Sequence, residues 1–209
     1  MPDQAVLALD AMGVIYRAAD DVAELLIPFV GRSGSRTTPA DVEALYLAAS
    51  LGQISADEFW RRVGVDPDDE DLYLAGHRVN DGLFDAIDSV RDLFGKVCCL
   101  SNDVSEWSRK LRTTFGLTTA VDPWIISGDI RIRKPDRGIY EHLLAVLDTR
   151  ADNVVFVDDR TKNLAAAASL GIKTVLFGEP SRDTPSTTLV ARTVADLPRV
   201  LRRAAQAAA

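Results

Sequence analysis

The sequence predicts an α/β fold, in which a mostly parallel, doubly wound sheet carries an inserted α-helical domain. The first observation behind this prediction is that short apolar runs alternate with helical patterns along most of the chain, as in βαβ units. The second is that one long segment near the N-terminus breaks the alternation, because every pattern within it is helical.

Four apolar runs are predicted to be strands, since continuous β-rich runs of this length suit strands covered on both faces. They are Ala5–Leu9 before Asp10, Lys96–Leu100 before Ser101, Asn153–Val157 before Asp158, and Lys173–Phe177 before Gly178. The ligand crevice of an open α/β sheet lies beyond the carboxyl ends of its strands. We therefore expect Asp10, Ser101 and Asp158 to converge at one edge of the sheet.

Helical patterns follow these strands. Helices are predicted over 104–115, 137–147 and 162–170. Gly116 and Gly171 come directly after two of them, and glycine is a common residue at the end of a helix.

The segment 17–83 is predicted to be a helical cap over the crevice. Its helical patterns cover 20–30, 39–51, 56–63 and 68–75, and Ser55 to Glu58 has the form of a capping box. The segment enters and leaves the chain beside Asp10, which favours a lid over a passive helical subdomain, the other interpretation. The expected division is a core of 1–16 and 84–209 with a cap of 17–83.

The amino-acid composition argues against several classes of protein, namely nucleic-acid-binding, membrane-spanning and secreted ones. The 209 residues include 31 Asp and Glu against 24 Lys and Arg, a formal net charge of −7, and an acidic chain is a poor general binder of nucleic acid. No apolar run approaches the roughly 20 residues that span a bilayer, and the first residues lack the basic region of a signal peptide. We expect a cytoplasmic protein without nucleic-acid or membrane partners, in which Cys98 and Cys99 are buried thiols.

Four clusters carry chemistry. They are Asp10-Ala11-Met12, Ser101-Asn102, Arg133-Lys134-Pro135-Asp136 and Asp158-Asp159. A carboxylate can attack phosphorus, a hydroxyl and a lysine can hold phosphate oxygens, and paired acids can bind Mg²⁺. Each residue also has a structural interpretation, for example as the cap of the helix that follows. Four such clusters in one chain, three of them at predicted strand ends, favour the phosphoryl-transfer interpretation.

In order and context these clusters resemble the haloacid dehalogenase-like superfamily, over nearly the whole chain. The resemblance implies a Rossmann-like core with a helical cap, Mg²⁺ as cofactor and a small phosphorylated metabolite as substrate. It implies that Asp10 is the nucleophile, that Ser101, Asn102 and Lys134 bind phosphate, and that Lys134 is also catalytic. The implied metal ligands are Asp10, the backbone carbonyl of Met12, and Asp158. Asp159 is implied either to bind the metal directly or to contact a residue that does.

Met12 departs from the family pattern. The family's phosphatases usually have an aspartate at this position, which protonates the leaving group and deprotonates water, and a thioether does neither. Losing such a group costs about 10²–10⁴ in rate. Three interpretations stay open: a phosphohydrolase for substrates with good leaving groups, an attenuated or silent protein that binds a phosphorylated ligand or a partner, and a dehalogenase.

Residues that contact the substrate are expected in the cap, where the family selects its substrates. On position alone the candidates are Tyr16, Arg17, Arg32 and Arg36. Arg32 and Arg36 would also suit the carboxylate or halide of a dehalogenase substrate, although Asp158 and Asp159 would repel such an anion unless a metal neutralised them. Trp60 is expected to be a core residue rather than a substrate platform, and His77 is expected to be structural or exposed.

Overall fold

A computed structural model describes residues 4–182 and 184–206, and these form one six-stranded parallel sheet flanked by helices. The strands are β1 Ala5–Leu9, β2 Phe94–Ser101, β3 Trp124–Ile126, β4 Val154–Asp158, β5 Lys173–Phe177 and β6 Leu189–Ala191. Their order is β3-β2-β1-β4-β5-β6, and every neighbouring pair is parallel. The predicted doubly wound α/β fold is confirmed.

Strand order reverses between β1 and β4, because the chain winds outward through β2 and β3 and then returns to the other side of β1. Leu9 at the end of β1 is in register with Cys99 of β2 and Val157 of β4. The residues that follow these strands therefore meet at one edge, and such a reversal is where open α/β sheets bind ligands.

The helices agree with the predicted ones where the pattern is long. Those of the segment 17–83 are a π-helical turn at Val22–Leu26, then α1 Ile27–Arg32, α2 Pro39–Ser50, α3 Ala56–Arg62 and α4 Glu70–Leu74. The remaining helices are α5 Leu83–Asp88, α6 Ser105–Thr114, α7 Ser127–Ile130, α8 Arg137–Leu147, α9 Thr161–Ala168 and α10 Leu197–Gln206. Sequence reasoning missed β3, β6, α5 and α7, which are too short to show a period. It also missed most of α10.

The two ends of the segment 17–83 lie side by side. Tyr16 forms an antiparallel bridge with Val79, the Arg17 N–H donates to the Arg78 carbonyl at 2.9 Å, and the Asn80 N–H donates to the Ile15 carbonyl at 2.9 Å. This double connection is consistent with an inserted cap, although the division at 17 and 83 itself stays a prediction.

Helices cover both faces of the sheet, so successive strand residues enter opposite apolar clusters. In β1, Leu7 and Leu9 belong to one cluster, whereas Val6 and Ala8 belong to the other. Cys98 and Cys99 are free, buried and divided in the same way between the two faces. No helix of the described chain combines the length and apolar character that crossing a membrane requires.

A buried carboxylate joins the helical segment to the core. Glu70 Oε2 accepts hydrogen bonds from the indole Nε1 of Trp60 at 2.8 Å and of Trp107 at 2.7 Å, and Glu70 Oε1 lies 2.8 Å from Lys110 Nζ. Trp60 and Glu70 lie on α3 and α4, whereas Trp107 and Lys110 lie on α6. Trp60 is thus a core residue, as expected.

Glu70→Ala should lower the free energy of unfolding by about 2–6 kcal/mol, because it leaves two buried indole N–H groups without an acceptor. Chemical denaturation followed by tryptophan fluorescence measures the change. The partly exposed Glu58, which pairs with Arg62 one turn away on α3, gives the matched control, and Glu58→Ala should cost less than about 1 kcal/mol. Equal losses in the two variants would contradict the role of Glu70.

Candidate functional site

A cavity of about 480 Å³ opens where the strand order reverses, between the sheet edge and the helical segment. Its core lining consists of Asp10, Met12, Ser101, Asn102, Arg133, Lys134, Arg160, Lys162 and Asn163. Its lining from the helical segment consists of Ala19, Asp20, Asp21, Val22, Glu43, Tyr46 and Leu47. Most of these side chains are polar or charged.

Asp10 is held with one carboxylate oxygen engaged and the other available. Its N–H continues the ladder by donating to the Val157 carbonyl at 2.9 Å. Oδ1 accepts from the Ala11 N–H at 2.6 Å and lies 2.8 Å from Lys134 Nζ. Within residues 4–182 and 184–206, no group donates to Oδ2. This oxygen is positioned to act as a nucleophile toward a ligand in the cavity.

Lys134 links the ends of β1 and β4. Its Nζ lies 2.8 Å from Asp10 Oδ1 and 2.8 Å from Asp158 Oδ2, and the residue is only 4% exposed. The side chain of Asn102 holds the Lys134 backbone from β2: Oδ1 accepts the Lys134 N–H at 2.8 Å, and Nδ2 donates to the Lys134 carbonyl at 2.9 Å. The Asn102 side chain, expected to bind phosphate, is instead committed to positioning Lys134.

Three carboxylates meet beside this lysine. Ligand oxygens of Asp10, Asp158 and Asp159 all lie within 4.8 Å of one another. Asp158 is fully buried and accepts the Arg160 N–H at 2.7 Å and the Asn163 side-chain amide at 3.0 and 3.1 Å. Asp159 Oδ1 is buried without a hydrogen-bond partner among the described residues.

The electrostatics of the cluster fit a divalent cation. Burial raises the pKa of Asp10 well above its ordinary value, and the carboxylates of Asp158 and Asp159 add to this rise while Lys134 opposes it. Burial, and then the charge of Asp158, raises the pKa of Asp159 to about 6. Burial alone would lower the pKa of Lys134, but Asp10 and Asp158 hold it above its usual value. A single ammonium leaves negative charge in excess, and oxygen-rich sites of this kind suit Mg²⁺.

The hydroxyl of Ser101 is free for a ligand. Its Oγ is buried and has no hydrogen-bond partner among the residues that the structure describes, yet the residue lines the cavity. A buried hydroxyl without a partner is costly unless a bound group satisfies it. Ser101 thus fits its expected role toward a phosphate oxygen.

The turn after Asp10 needs a glycine. Gly13 has φ of +79°, and a Cβ there would lie 2.8 Å from both Cγ and Oδ2 of Asp159. Its N–H donates to the Ala18 carbonyl at 2.8 Å. The turn therefore packs Gly13 against Asp159, and Met12 lines the cavity with a side chain that supplies neither an acid nor a base.

The four residues expected to contact substrate from the cap lie elsewhere. Tyr16 is buried against His77 and Phe115, and Arg17 pairs with Asp81. Arg32 is exposed at the end of α1, and Arg36 lines a different cavity. None of the four lines the site, because closeness in sequence does not determine on which side of the helical segment a residue lies. His77 is structural, with Nδ1 3.1 Å from the Leu74 carbonyl oxygen.

Sequence reasoning gave no role to seven residues that line the cavity, namely Asp20, Asp21, Glu43, Tyr46, Arg133, Arg160 and Lys162. Arg133 and Arg160 adjoin the lysine and the acidic pair directly, and this adjacency was a signal. The Arg133 guanidinium lies 5.6 Å from the Tyr46 ring centre and contacts the Ser50 hydroxyl. The Tyr46 hydroxyl donates to the Asn102 carbonyl at 3.1 Å. Helix α2 thereby packs onto the site.

Comparison with known proteins finds relatives that match parts of this sequence and structures that resemble its overall fold. The chain is 46% identical over 41 residues to sesquiterpene phosphatase astK of Aspergillus oryzae, covering 20% of this chain and 21% of that protein. It is 34% identical over 76 residues to (S)-2-haloacid dehalogenase 1 of Pseudomonas sp. strain CBS-3, covering 36% and 34%. The curated relatives are thus matched over about a third of their length or less.

A magnesium complex of the haloacid dehalogenase family enzyme bt-2542 from Bacteroides thetaiotaomicron has a similar structure, with a TM-score of 0.71 at 18% identity. The similarity covers 90% of this chain and 98% of that one, and at this identity it concerns the fold. The sequence model of the haloacid dehalogenase-like hydrolases matches residues 5–171. With that match over most of its length, and with the fold described above, the chain belongs to the haloacid dehalogenase-like hydrolases.

Proposed function

We propose that this hydrolase is a Mg²⁺-dependent phosphohydrolase that acts through an aspartyl phosphate at Asp10 on a small phosphorylated metabolite. The observation that carries the proposal is the cluster of Asp10, Asp158 and Asp159, whose ligand oxygens lie within 4.8 Å of one another. Beside it are the partnerless hydroxyl of Ser101 and the ammonium of Lys134. This set contains a nucleophile, a cation site and two phosphate ligands.

Asp10, Asp158 and the Met12 backbone carbonyl would hold the metal, with Asp159 beside them. When bound there, Mg²⁺ would offset the repulsion between an anionic phosphate and the carboxylate that attacks it. The magnesium complex of a structural relative supports this assignment. The unpartnered Asp159 Oδ1 supports it independently, because that oxygen has no donor among the described residues.

Asp10 attacks phosphorus through Oδ2, since Lys134 and the Ala11 N–H hold Oδ1. The new O–P bond forms while the bond from phosphorus to the leaving group breaks. Ser101 donates its hydroxyl proton to a non-bridging oxygen, and Lys134 supplies positive charge near the same oxygens. Water then displaces the phosphoryl group from Asp10 as inorganic phosphate, which restores the carboxylate.

The cavity lining favours a small, polar substrate. Arg133, Arg160 and Lys162 add positive charge around the site, and they suit an anionic ligand. The match to a sesquiterpene phosphatase supports phosphatase chemistry, although most residues that line this cavity are polar or charged. Because Met12 supplies no proton, acyl phosphates, phosphoanhydrides and aryl phosphates should react most readily.

A dehalogenase is the second candidate, favoured by the 34% identity to (S)-2-haloacid dehalogenase 1. The three clustered carboxylates oppose it, because without a metal they would repel an anionic haloacid. A third outcome is a protein that binds phosphate but does not turn over.

Asp10→Asn should lower the Mg²⁺-dependent hydrolysis of p-nitrophenyl phosphate and acetyl phosphate by roughly 10³-fold or more, since an amide is a far poorer nucleophile. Release of inorganic phosphate measures the rate with Mg²⁺ and with a chelator. Asp148→Asn is the matched control: this exposed aspartate ends α8 with a φ of 48°, which asparagine also tolerates. It should leave the rate unchanged.

Two results would contradict the phosphohydrolase. Metal-independent halide release from (S)-2-chloropropionate, without phosphate release, would establish the dehalogenase. Tight binding of inorganic phosphate with no turnover of either phosphate would establish a binding protein.

Gly13→Ala should weaken Mg²⁺ binding about 10- to 100-fold, because its Cβ displaces Asp159. Isothermal titration calorimetry measures the affinity. Gly34→Ala is the matched control, since Gly34 also has φ of +79° but no atom within 4 Å of its added Cβ. Both variants should lose about 1–2 kcal/mol of folding stability to backbone strain, and only the first should lose metal affinity. Equal affinities would contradict the role assigned to Asp159.

A further inference from the structure

We propose that Asp21 is the general acid and base of the hydrolysis, supplying from the helical segment the proton that Met12 cannot supply. The inference rests on the proposed phosphohydrolase and widens its substrates to alkyl phosphate monoesters. The side chain of Asp21 lines the same cavity as Asp10 and Met12, although the residue is only 5% exposed. It immediately precedes the π-helical turn Val22–Leu26, and such turns are frequent at functional sites.

Backbone contacts fasten the stretch before Asp21 to the reacting groups. The Gly13 N–H donates to the Ala18 carbonyl at 2.8 Å, so the chain returns beside the turn that contains Met12. Arg160 Nη2 donates to the Ala19 carbonyl at 3.1 Å, while the Arg160 N–H donates to Asp158 Oδ1 at 2.7 Å. The stretch is thus tied both to the nucleophile turn and to the acidic pair.

The surroundings of Asp21 allow it to exchange a proton near neutral pH. Burial raises its pKa to about 6, and the adjacent Asp20 adds to the rise. The Tyr73 hydroxyl, which donates to Asp21 Oδ2 at 3.3 Å, acts in the opposite direction, as do the Val22 N–H and Arg160.

Neighbouring groups on the other elements do not take over this role. Burial raises the pKa of the Tyr46 and Tyr73 hydroxyls well above their ordinary value, so both stay protonated. Asp103 also faces this region, but it is buried beneath the cavity, where its Oδ1 accepts the Val104 N–H at 2.7 Å, and it does not line the cavity. Glu43 and Asp20 line the cavity as exposed carboxylates.

The two half-reactions balance with Asp21 as the proton carrier. In the first, Asp10 Oδ2 bonds to phosphorus, the P–O bond to the alcohol breaks, and the departing oxygen takes the proton of the Asp21 carboxyl. In the second, the Asp21 carboxylate accepts a proton from water as the water oxygen bonds to phosphorus. The P–O bond to Asp10 then breaks, which releases inorganic phosphate and restores both side chains.

The experiment compares substrates whose leaving groups need protonation to different degrees. The probes are β-glycerol phosphate, which releases an alkoxide, and p-nitrophenyl phosphate, which releases a stable phenolate. Asp21→Asn should lower kcat/KM for β-glycerol phosphate about 10²–10³-fold and change kcat/KM for p-nitrophenyl phosphate less than about tenfold, because kcat/KM reports the first half-reaction, before water attacks. The aryl rate also reports that the variant is folded and loaded with Mg²⁺.

Measuring both rates over a series of pH values distinguishes a role of Asp21 in proton transfer from a role in positioning. The ratio of the alkyl to the aryl kcat/KM cancels the titration of the metal ligands, once each value is corrected for the fraction of that substrate whose phosphate is a dianion. In the wild type this ratio should fall as the pH rises through about 6, because the acid form of Asp21 is lost. In Asp21→Asn it should be low and independent of pH.

A second substitution that restores the lost activity provides a further test of the proposal. Adding Met12→Asp to Asp21→Asn should recover at least tenfold of the lost alkyl rate, because it places a carboxyl where the family's phosphatases have theirs. Asp148→Asn again serves as the control without effect. Equal losses of kcat/KM with both substrates in Asp21→Asn, or no loss with either, would overturn the role of Asp21 while leaving the phosphohydrolase intact. Absence of wild-type turnover of β-glycerol phosphate alone would overturn the role of Asp21, and absence of turnover of both p-nitrophenyl phosphate and acetyl phosphate would overturn both proposals.

Discussion

The buried ammonium of Lys134 is the interaction on which the site depends. It lies 2.8 Å from carboxylate oxygens at the ends of β1 and β4, and Asn102 at the end of β2 fixes its backbone. Two carboxylates this deeply buried would repel each other without a cation between them, and removing one partner of such a group typically costs about 3–5 kcal/mol. Lys134 therefore holds the nucleophile and the acidic pair in place where the strand order reverses.

The core of this arrangement was predictable from the sequence, because it follows from strand ends. Parallel strands bring their carboxyl termini to one edge, so Asp10, Ser101 and Asp158 had to be neighbours once their strands were recognised. Lys134 follows no predicted strand, and it was assigned only through the family resemblance. The Asn102 contact was not predictable, since an amide after a strand looks the same whether it binds a ligand or a backbone.

The cap side of the site was not predictable, and the reason is geometric. Tyr16 and Arg17 are nearest to Asp10 in sequence, but the bridge between Tyr16 and Val79 turns them away from the cavity. Asp21 faces the cavity because the chain returns past Gly13 and then enters a π-helical turn. Asp21 precedes this turn, outside any periodic pattern, so no hydrophobic period indicates the direction of its side chain. The missing acid at Met12 and the buried acid at Asp21 become related only in three dimensions.

The central claim is that Asp10 carries the phosphoryl group during turnover. Acid quenching of the enzyme during steady-state hydrolysis of acetyl phosphate, followed by proteolysis and mass spectrometry, tests it directly. The account predicts one phosphoryl group on the peptide that contains Asp10, present with Mg²⁺ and absent with a chelator. A phosphoryl group on another residue, or sustained Mg²⁺-dependent hydrolysis without any phosphorylated peptide, would contradict it.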